Sequence, residues 1–195
     1  MTERIELLDR LLSEISKCRI CEEHLEPNPV LRLSSTARLL VIGQAPGTRV
    51  HATGIPWNDP SGVRLRKWLG ITDDVFYDTA RVAIMPMGYC YPGKGKSGDL
   101  PPRPECREAW HDRALKLMPE VKTTLLIGQY AQRAYLPDAG KLLSDNVRNW
   151  QQWFPTYIPL PHPSPRNTLW LKQRPWFEEE VIPTVREFIR QTLLN

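Results

Sequence analysis

The feature that most constrains the fold is a set of short apolar runs, each entering a Gly- or Pro-containing turn. Residues 37–44 (ARLLVIGQ), 81–87 (RVAIMPM) and 123–129 (TTLLIGQ) have this form, and 157–161 (YIPLP) has a weaker version of it. Apolar runs of this length, bounded by turn residues, suit strands buried on both faces of a parallel sheet. Between them lie stretches with helical spacing. Residues 2–16 place Ile5, Leu8, Leu12 and Ile15 three or four positions apart, with Leu7 and Leu11 alongside. Residues 64–71 read as a helix closed by Gly70, and residues 105–118, 130–136 and 176–194 read as helices too, with Pro183 expected to kink or split the last one. Strands alternating with helices predict the α/β class. The expected architecture is a three-layer α/β/α sandwich around a short, mostly parallel sheet of four strands. The 195 residues fit one domain, 1–195. In such sheets ligands bind beyond the carboxyl ends of the strands. The turns at 43–47, 86–90, 128–132 and 160–165 all follow candidate strands and are expected to meet there.

No window approaches the ~20 continuous apolar residues of a membrane span. The N-terminus carries charges among its apolar positions and has no signal-peptide core, so a cytoplasmic monomer is expected. The net charge of +4 permits contact with a polyanion without demanding it. Proline accounts for 19 of 195 residues, against a usual ~5%, so much of the chain must be ordered loop.

One such loop is PLPHPSPRN, residues 159–167. His162 stands between prolines that fix their own φ and bias their neighbours towards extended geometry. A core histidine needs no such clamp, whereas one that meets a ligand at a fixed place does.

Four cysteines are present. Cys18 and Cys21 form a C-x2-C pair, and Cys90 and Cys106 flank fifteen residues rich in Gly and Pro. Structural disulfides do not suit a cytosolic chain. Four thiolates can hold a tetrahedral zinc or an iron–sulfur cluster. Four unrelated free thiols are the plain alternative. Zinc sites usually use two close pairs, so the long second gap leans towards a cluster.

Taken in order, these motifs resemble the uracil-DNA glycosylase superfamily. The C-x2-C at Cys18 and Cys21, the turn Gly43-Gln44-Ala45-Pro46-Gly47, the segment Gly54-Ile55-Pro56-Trp57, the cysteines Cys90 and Cys106, and His162-Pro163 are similar to its iron–sulfur branch. HPSPRN resembles the motif of the single-strand-selective monofunctional branch. The resemblance spans roughly residues 5–170.

The resemblance implies a monofunctional DNA glycosylase that flips a damaged base into a pocket and cuts the base–sugar bond. The sugar becomes oxocarbenium-like and the leaving base anionic. His162 would donate to the departing base, and Trp57 would be the stacking platform. Gln44, a further catalytic candidate, with the backbone of Gly43, Ala45, Pro46 and Gly47, would line the pocket and orient the base or water. Ser164, Arg166 and Asn167 would meet the substrate, Arg166 at the wedge position. Ala45 stands where the best-known branch has an aspartate, which leaves Asp59 as the nearest carboxylate to activate water. Asp59 is equally placed to cap a helix beginning at Ser61. Pro86 stands where the iron–sulfur branch reads uracil with an asparagine, and proline has no donor. Backbone groups of Met87 or Gly88 are candidates to replace it, and hypoxanthine or xanthine joins uracil as a candidate base. A non-catalytic nucleic-acid-binding module on the same fold is a further alternative. Cys18, Cys21, Cys90 and Cys106 would hold a 4Fe-4S cluster, with zinc as the alternative. Three basic groups are candidates for phosphate contact: Arg64, Arg66 and Lys67; Lys94, Lys96 and Arg103; Arg166, Lys172 and Arg174.

Overall fold

The computed structural model describes residues 2–194. Helix α1 (Thr2–Ser16) precedes strand β1 (Leu39–Ile42), and the turn after β1 leads into helices α2 (Thr48–Thr53), α3 (Pro60–Leu69) and α4 (Asp73–Tyr77). Strand β2 (Val82–Ile84) is followed by a small hairpin of β3 (Lys94–Gly95) and β4 (Gly98–Asp99). Helices α5 (Pro104–Cys106) and α6 (Asp112–Lys116) are joined by a π-helical turn, Arg107–His111. The chain then runs through β5 (Thr123–Ile127), α7 (Gln129–Tyr135), α8 (Leu143–Arg148), β6 (Tyr157–Leu160), α9 (Thr168–Lys172) and α10 (Ile182–Leu194).

Four strands form one parallel sheet in the order β2-β1-β5-β6. Their side chains alternate between two cores. Leu39, Val41, Leu125, Ile127, Ile158 and Leu160 face α3, α9 and α10. Leu40, Ile42, Ala83, Met85 and Leu126 face α1, the 104–116 helix and α7. The expected α/β/α sandwich is therefore present, with both sheet faces covered. Pro159 lies in β6, an edge strand, where its missing N–H removes no ladder bond from the sheet interior.

The helices refine the sequence reading. The buried stripe of α1 is Leu8, Leu11 and Ile15, while Ile5 is exposed. Gly70 ends α3 in the left-handed conformation at φ 68°, which glycine adopts without a Cβ clash. Pro183 does not break the last helix. It is the second residue of α10, and a π-helical turn at Phe177–Val181 precedes it. Helices α2, α4, α8 and α9, none longer than six residues, were not expected, because such lengths are too short to show a helical period. No helix among the described residues is long and apolar enough to cross a membrane.

Strand β1 connects to β2 on one side, and its other neighbour is β5. The connections thus diverge beside the carboxyl end of β1, where a crevice opens in sheets of this kind. The turn at 43–47 leaves β1 there, the 85–90 segment leaves β2, Gly128 leaves β5, and the His162 loop leaves β6.

Candidate active site

The turn after β1 builds the floor of this crevice. Met87 N–H donates to the carbonyl of Gly43 at 2.9 Å, and Gly88 N–H to that of Gln44 at 3.0 Å. The segment after β2 is thereby laced to the turn. Gly43 has a second role: a Cβ there would lie 2.8 Å from Cζ2 of Trp57, so only glycine lets the indole reach this depth.

Trp57 sits at φ 57°, a left-handed conformation uncommon for a bulky residue. Its surroundings over-determine it. Arg66 Nη1 donates to the Trp57 carbonyl at 3.2 Å, and Tyr77 Oη donates to the Pro56 carbonyl at 3.0 Å. Gly62, which has no Cβ, lets the start of α3 press on the Trp57 carbonyl. Asp59 caps α3, accepting from Gly62 N–H at 2.8 Å. The indole consequently faces the imidazole of His162, with ring centroids 5.7 Å apart.

The His162 loop is clamped by hydrogen bonds as well as by prolines. Ser164 N–H donates to Nδ1 of His162 at 3.2 Å, and Asn167 Nδ2 donates to the His162 carbonyl at 2.8 Å. Arg64 Nη1, from α3, donates to the Ser164 carbonyl at 3.1 Å. Since Nδ1 accepts, Nε2 carries the proton of the neutral ring. Burial pulls the His162 pKa below the ordinary imidazole value, while Asp59 and Asp99 pull it back up. Burial dominates, so the ring is a neutral donor near pH 7.

The pocket between these groups is lined by the 43–47 turn, Trp57, Asp59 and His162, with an apolar wall that includes Val30, Ile84 and Pro86. A flat ring slotted between the indole and this wall would present its polar edge to His162 and Gln44. A second, more polar cavity adjoins it. Gln44, Ala45 and Pro46 form one side, Ser97, Gly98 and Asp99 the hairpin side, and His162, Ser164, Arg166 and Asn167 the rest. Arg166 is exposed and lies over Gly98, where a Cβ would come within 2.5 Å of its Nη1. Asp99 was not singled out from the sequence. Its place beside His162 depends on the hairpin folding back onto the β1 turn, which Gln44 Nε2 fixes by donating to the Leu100 carbonyl at 3.3 Å.

Several expected site residues lie elsewhere or are otherwise engaged. Met87 and Gly88 do not line the base pocket, and their N–H groups are held by Gly43 and Gln44, so neither is free to read a base. Asp59 borders the pocket, but its Oδ1 is the cap of α3. Arg66 is buried, 7% exposed, and pairs with Asp73 at 2.6 Å, so it braces Trp57 rather than meeting phosphate. Arg103 pairs with Glu105 beside the cysteines.

Cys18, Cys21, Cys90 and Cys106 border one small cavity together with Gly88 and Arg103. Three of their thiols are pushed up in pKa, chiefly by burial: Cys21, Cys90 and Cys106, the last to about 12. Tyr89 N–H points at Cys106 Sγ at 3.4 Å, a donor suited to a thiolate. Among the described residues no group of three or more His, Cys, Asp or Glu side chains is arranged to hold a metal ion. The residue types nonetheless fit a thiolate-held group: four cysteines border the cavity, no carboxylate lines it, and a backbone N–H meets one of the sulfurs.

A solved structure, that of wild-type SMUG2 from Pedobacter heparinus, is similar at 13% identity and a TM-score of 0.47, covering 93% of this chain and 97% of that one. The family comparison is direct. Residues 32–186, from the bridge before β1 to the middle of α10 and including the 43–47 turn, Trp57 and His162, match the family described as the uracil DNA glycosylase superfamily. This chain belongs to the uracil DNA glycosylase superfamily.

Proposed function

We propose that this protein is a monofunctional DNA glycosylase that releases a flipped uracil or another deaminated base from DNA. One observation carries the reading: the Ser164 N–H on Nδ1 leaves Nε2–H as the donor of the His162 ring, and His162 and the Trp57 indole line one pocket side by side. That pair supplies what the bond cleavage needs, an aromatic surface for the base and a fixed donor for the charge developing on its oxygen. A preorganised donor of this kind contributes about 3–4 kcal/mol to the transition state. No lysine lines either cavity, which agrees with hydrolysis by water rather than by an enzyme amine.

The pocket wall favours a second reading of the substrate. Pro86 offers no donor or N–H, and the N–H groups that follow it are engaged by the β1 turn. The imide edge of uracil has no partner on that side. A purine lesion such as hypoxanthine or xanthine, held by stacking and read along its other edge by Gln44 and His162, fits this wall as well as uracil does.

For the four cysteines we propose a 4Fe-4S cluster, with zinc as the alternative that metal analysis separates. When bound, it would tie the segment after α1 to both ends of the β3–β4 hairpin, a structural task. The whole chain is read as one domain acting as a monomer in the cytoplasm.

The test is a panel of oligonucleotides, single- and double-stranded, each with one uracil, hypoxanthine or xanthine. The expected result is release of at least one free base and an abasic strand. Binding to every oligonucleotide without release of any base would replace the enzyme with a nucleic-acid-binding module.

A further inference from the structure

The attacking water needs a partner, and the turn at Ala45 provides no carboxylate. Two carboxylates act electrostatically on His162, those of Asp59 and Asp99. Asp59 is held at the N-terminus of α3, accepting from Gly62 N–H, and it borders the apolar base pocket. Asp99 differs in each respect. It lies in the polar cavity alongside His162, Gln44 and Arg166, and it is exposed to solvent, from which water arrives. Tyr91 Oη donates to its Oδ1 at 3.4 Å. Its Oδ2 points towards the β1 turn, 3.7 Å from where a Cβ on Gly47 would stand.

The position is also built. Asp99 pairs with Lys94 across the hairpin. Leu100 N–H donates to the Gly93 carbonyl at 2.9 Å, and Gln44 Nε2 holds the Leu100 carbonyl. Gly98, at φ 110°, gives the turn its shape and leaves room for the Arg166 guanidinium beside the carboxylate. A hairpin of two-residue strands would be floppy on its own. Here it is anchored to the base-binding turn itself.

We infer that Asp99 is the water-positioning catalytic carboxylate, delivered to the sugar side of the flipped nucleotide by the inter-cysteine hairpin. This rests on the glycosylase reading. In the step, the oxygen of a water held by Asp99 forms a bond to C1′ as the C1′–N bond breaks. The electron pair of that bond leaves with the base, whose oxygen accepts from Nε2–H of His162. The water's proton passes to the Asp99 carboxylate and then to the departing base or to solvent. The products are a free base and an abasic sugar.

The experiment compares wild type, Asp99→Asn and Asp99→Ala in single-turnover excision on whichever lesion the wild type cleaves, with DNA affinity measured alongside. Removing a positioned general base costs roughly 10²- to 10⁴-fold. The expected result is a loss of that size in both variants with affinity unchanged or tighter. In Asp99→Ala, added azide should restore release at least tenfold and leave an azido-sugar on the strand, detectable by mass, because a small anion needs no base. Excision by Asp99→Asn within threefold of wild type overturns the inference and leaves the glycosylase reading intact. So does a loss of DNA binding that matches the loss of excision, which would make Asp99 a binding or folding residue. A wild type that releases no base overturns the glycosylase reading first.

Discussion

The Ser164 N–H donates to Nδ1 of His162, and this contact decides which face of the imidazole can act. The donor is a backbone group two residues along a proline-stiffened loop, so it moves with the ring it orients. Ser164→Pro removes that N–H at a residue whose φ of −57° already suits proline. Losing one hydrogen bond of about 1 kcal/mol should slow single-turnover excision roughly fivefold. Ser164→Ala removes only the Oγ that accepts from Arg166 N–H and should excise close to wild type. Equal rates for both variants would show that the tautomer is set elsewhere.

Trp57 is held at depth by the absence of a Cβ on Gly43. Gly43→Ala should push the indole out of the pocket and weaken binding to lesion DNA. Trp57→Ala should weaken it by about 1–3 kcal/mol, the contribution of stacking one base on an aromatic ring. Trp57→Phe should restore most of that affinity. Fluorescence anisotropy with lesion and undamaged oligonucleotides separates this effect from general DNA binding.

Arg66 braces the Trp57 carbonyl, Tyr77 and Asp73 at once. Arg66→Ala leaves the Trp57 carbonyl and its left-handed backbone without support. Asp73 is 71% exposed and returns to water, so the expected loss in denaturant-unfolding stability is about 1–3 kcal/mol, the cost of leaving the Trp57 carbonyl unpaired. Lys67→Ala, at the next position but exposed, should cost less than about 0.5 kcal/mol.

His111 is fully buried on the π-helical turn, stacked between Tyr89 and Tyr135, and burial lowers its pKa to about 4. The unfolded chain binds this proton near pH 6.5 and the folded one only near 4. Folding stability should therefore be complete above pH 6.5 and fall as pH drops towards 4, by up to about 3 kcal/mol. Urea titrations between pH 7 and 4 read this directly, and His111→Phe should flatten that part of the profile.

Burial raises the pKa of the Cys90 thiol and pushes that of Cys106 up to about 12, so the proposed cluster would have to draw both into the thiolate form on binding. Anaerobically purified protein should carry about four irons and show visible charge-transfer absorbance. Cys106→Ser should lose both and lower thermal stability. A colourless protein with one zinc would replace the cluster.

The sheet was legible because each strand is a short apolar run that stops at a turn, and a strand buried on both faces leaves that mark. The clamp on the His162 loop was legible because prolines are visible in a sequence. The place of Asp99 was not, because it depends on the hairpin meeting the β1 turn through Gln44 and Leu100, and two-residue strands among glycines carry no periodic signal. Arg66 looked like a surface cation because its burial comes from the Trp57 loop and Tyr77 folding back against α3, an arrangement that helical spacing alone does not show. Met87 and Gly88 looked available because the engagement of a backbone N–H is a tertiary fact.

The most direct measurement is single-turnover base release by wild type and His162→Ala on the lesion the wild type prefers. The account predicts release by the wild type, a loss on the order of 10²- to 10³-fold in His162→Ala, and DNA affinity unchanged within a few-fold. Wild-type-like release by His162→Ala would contradict it.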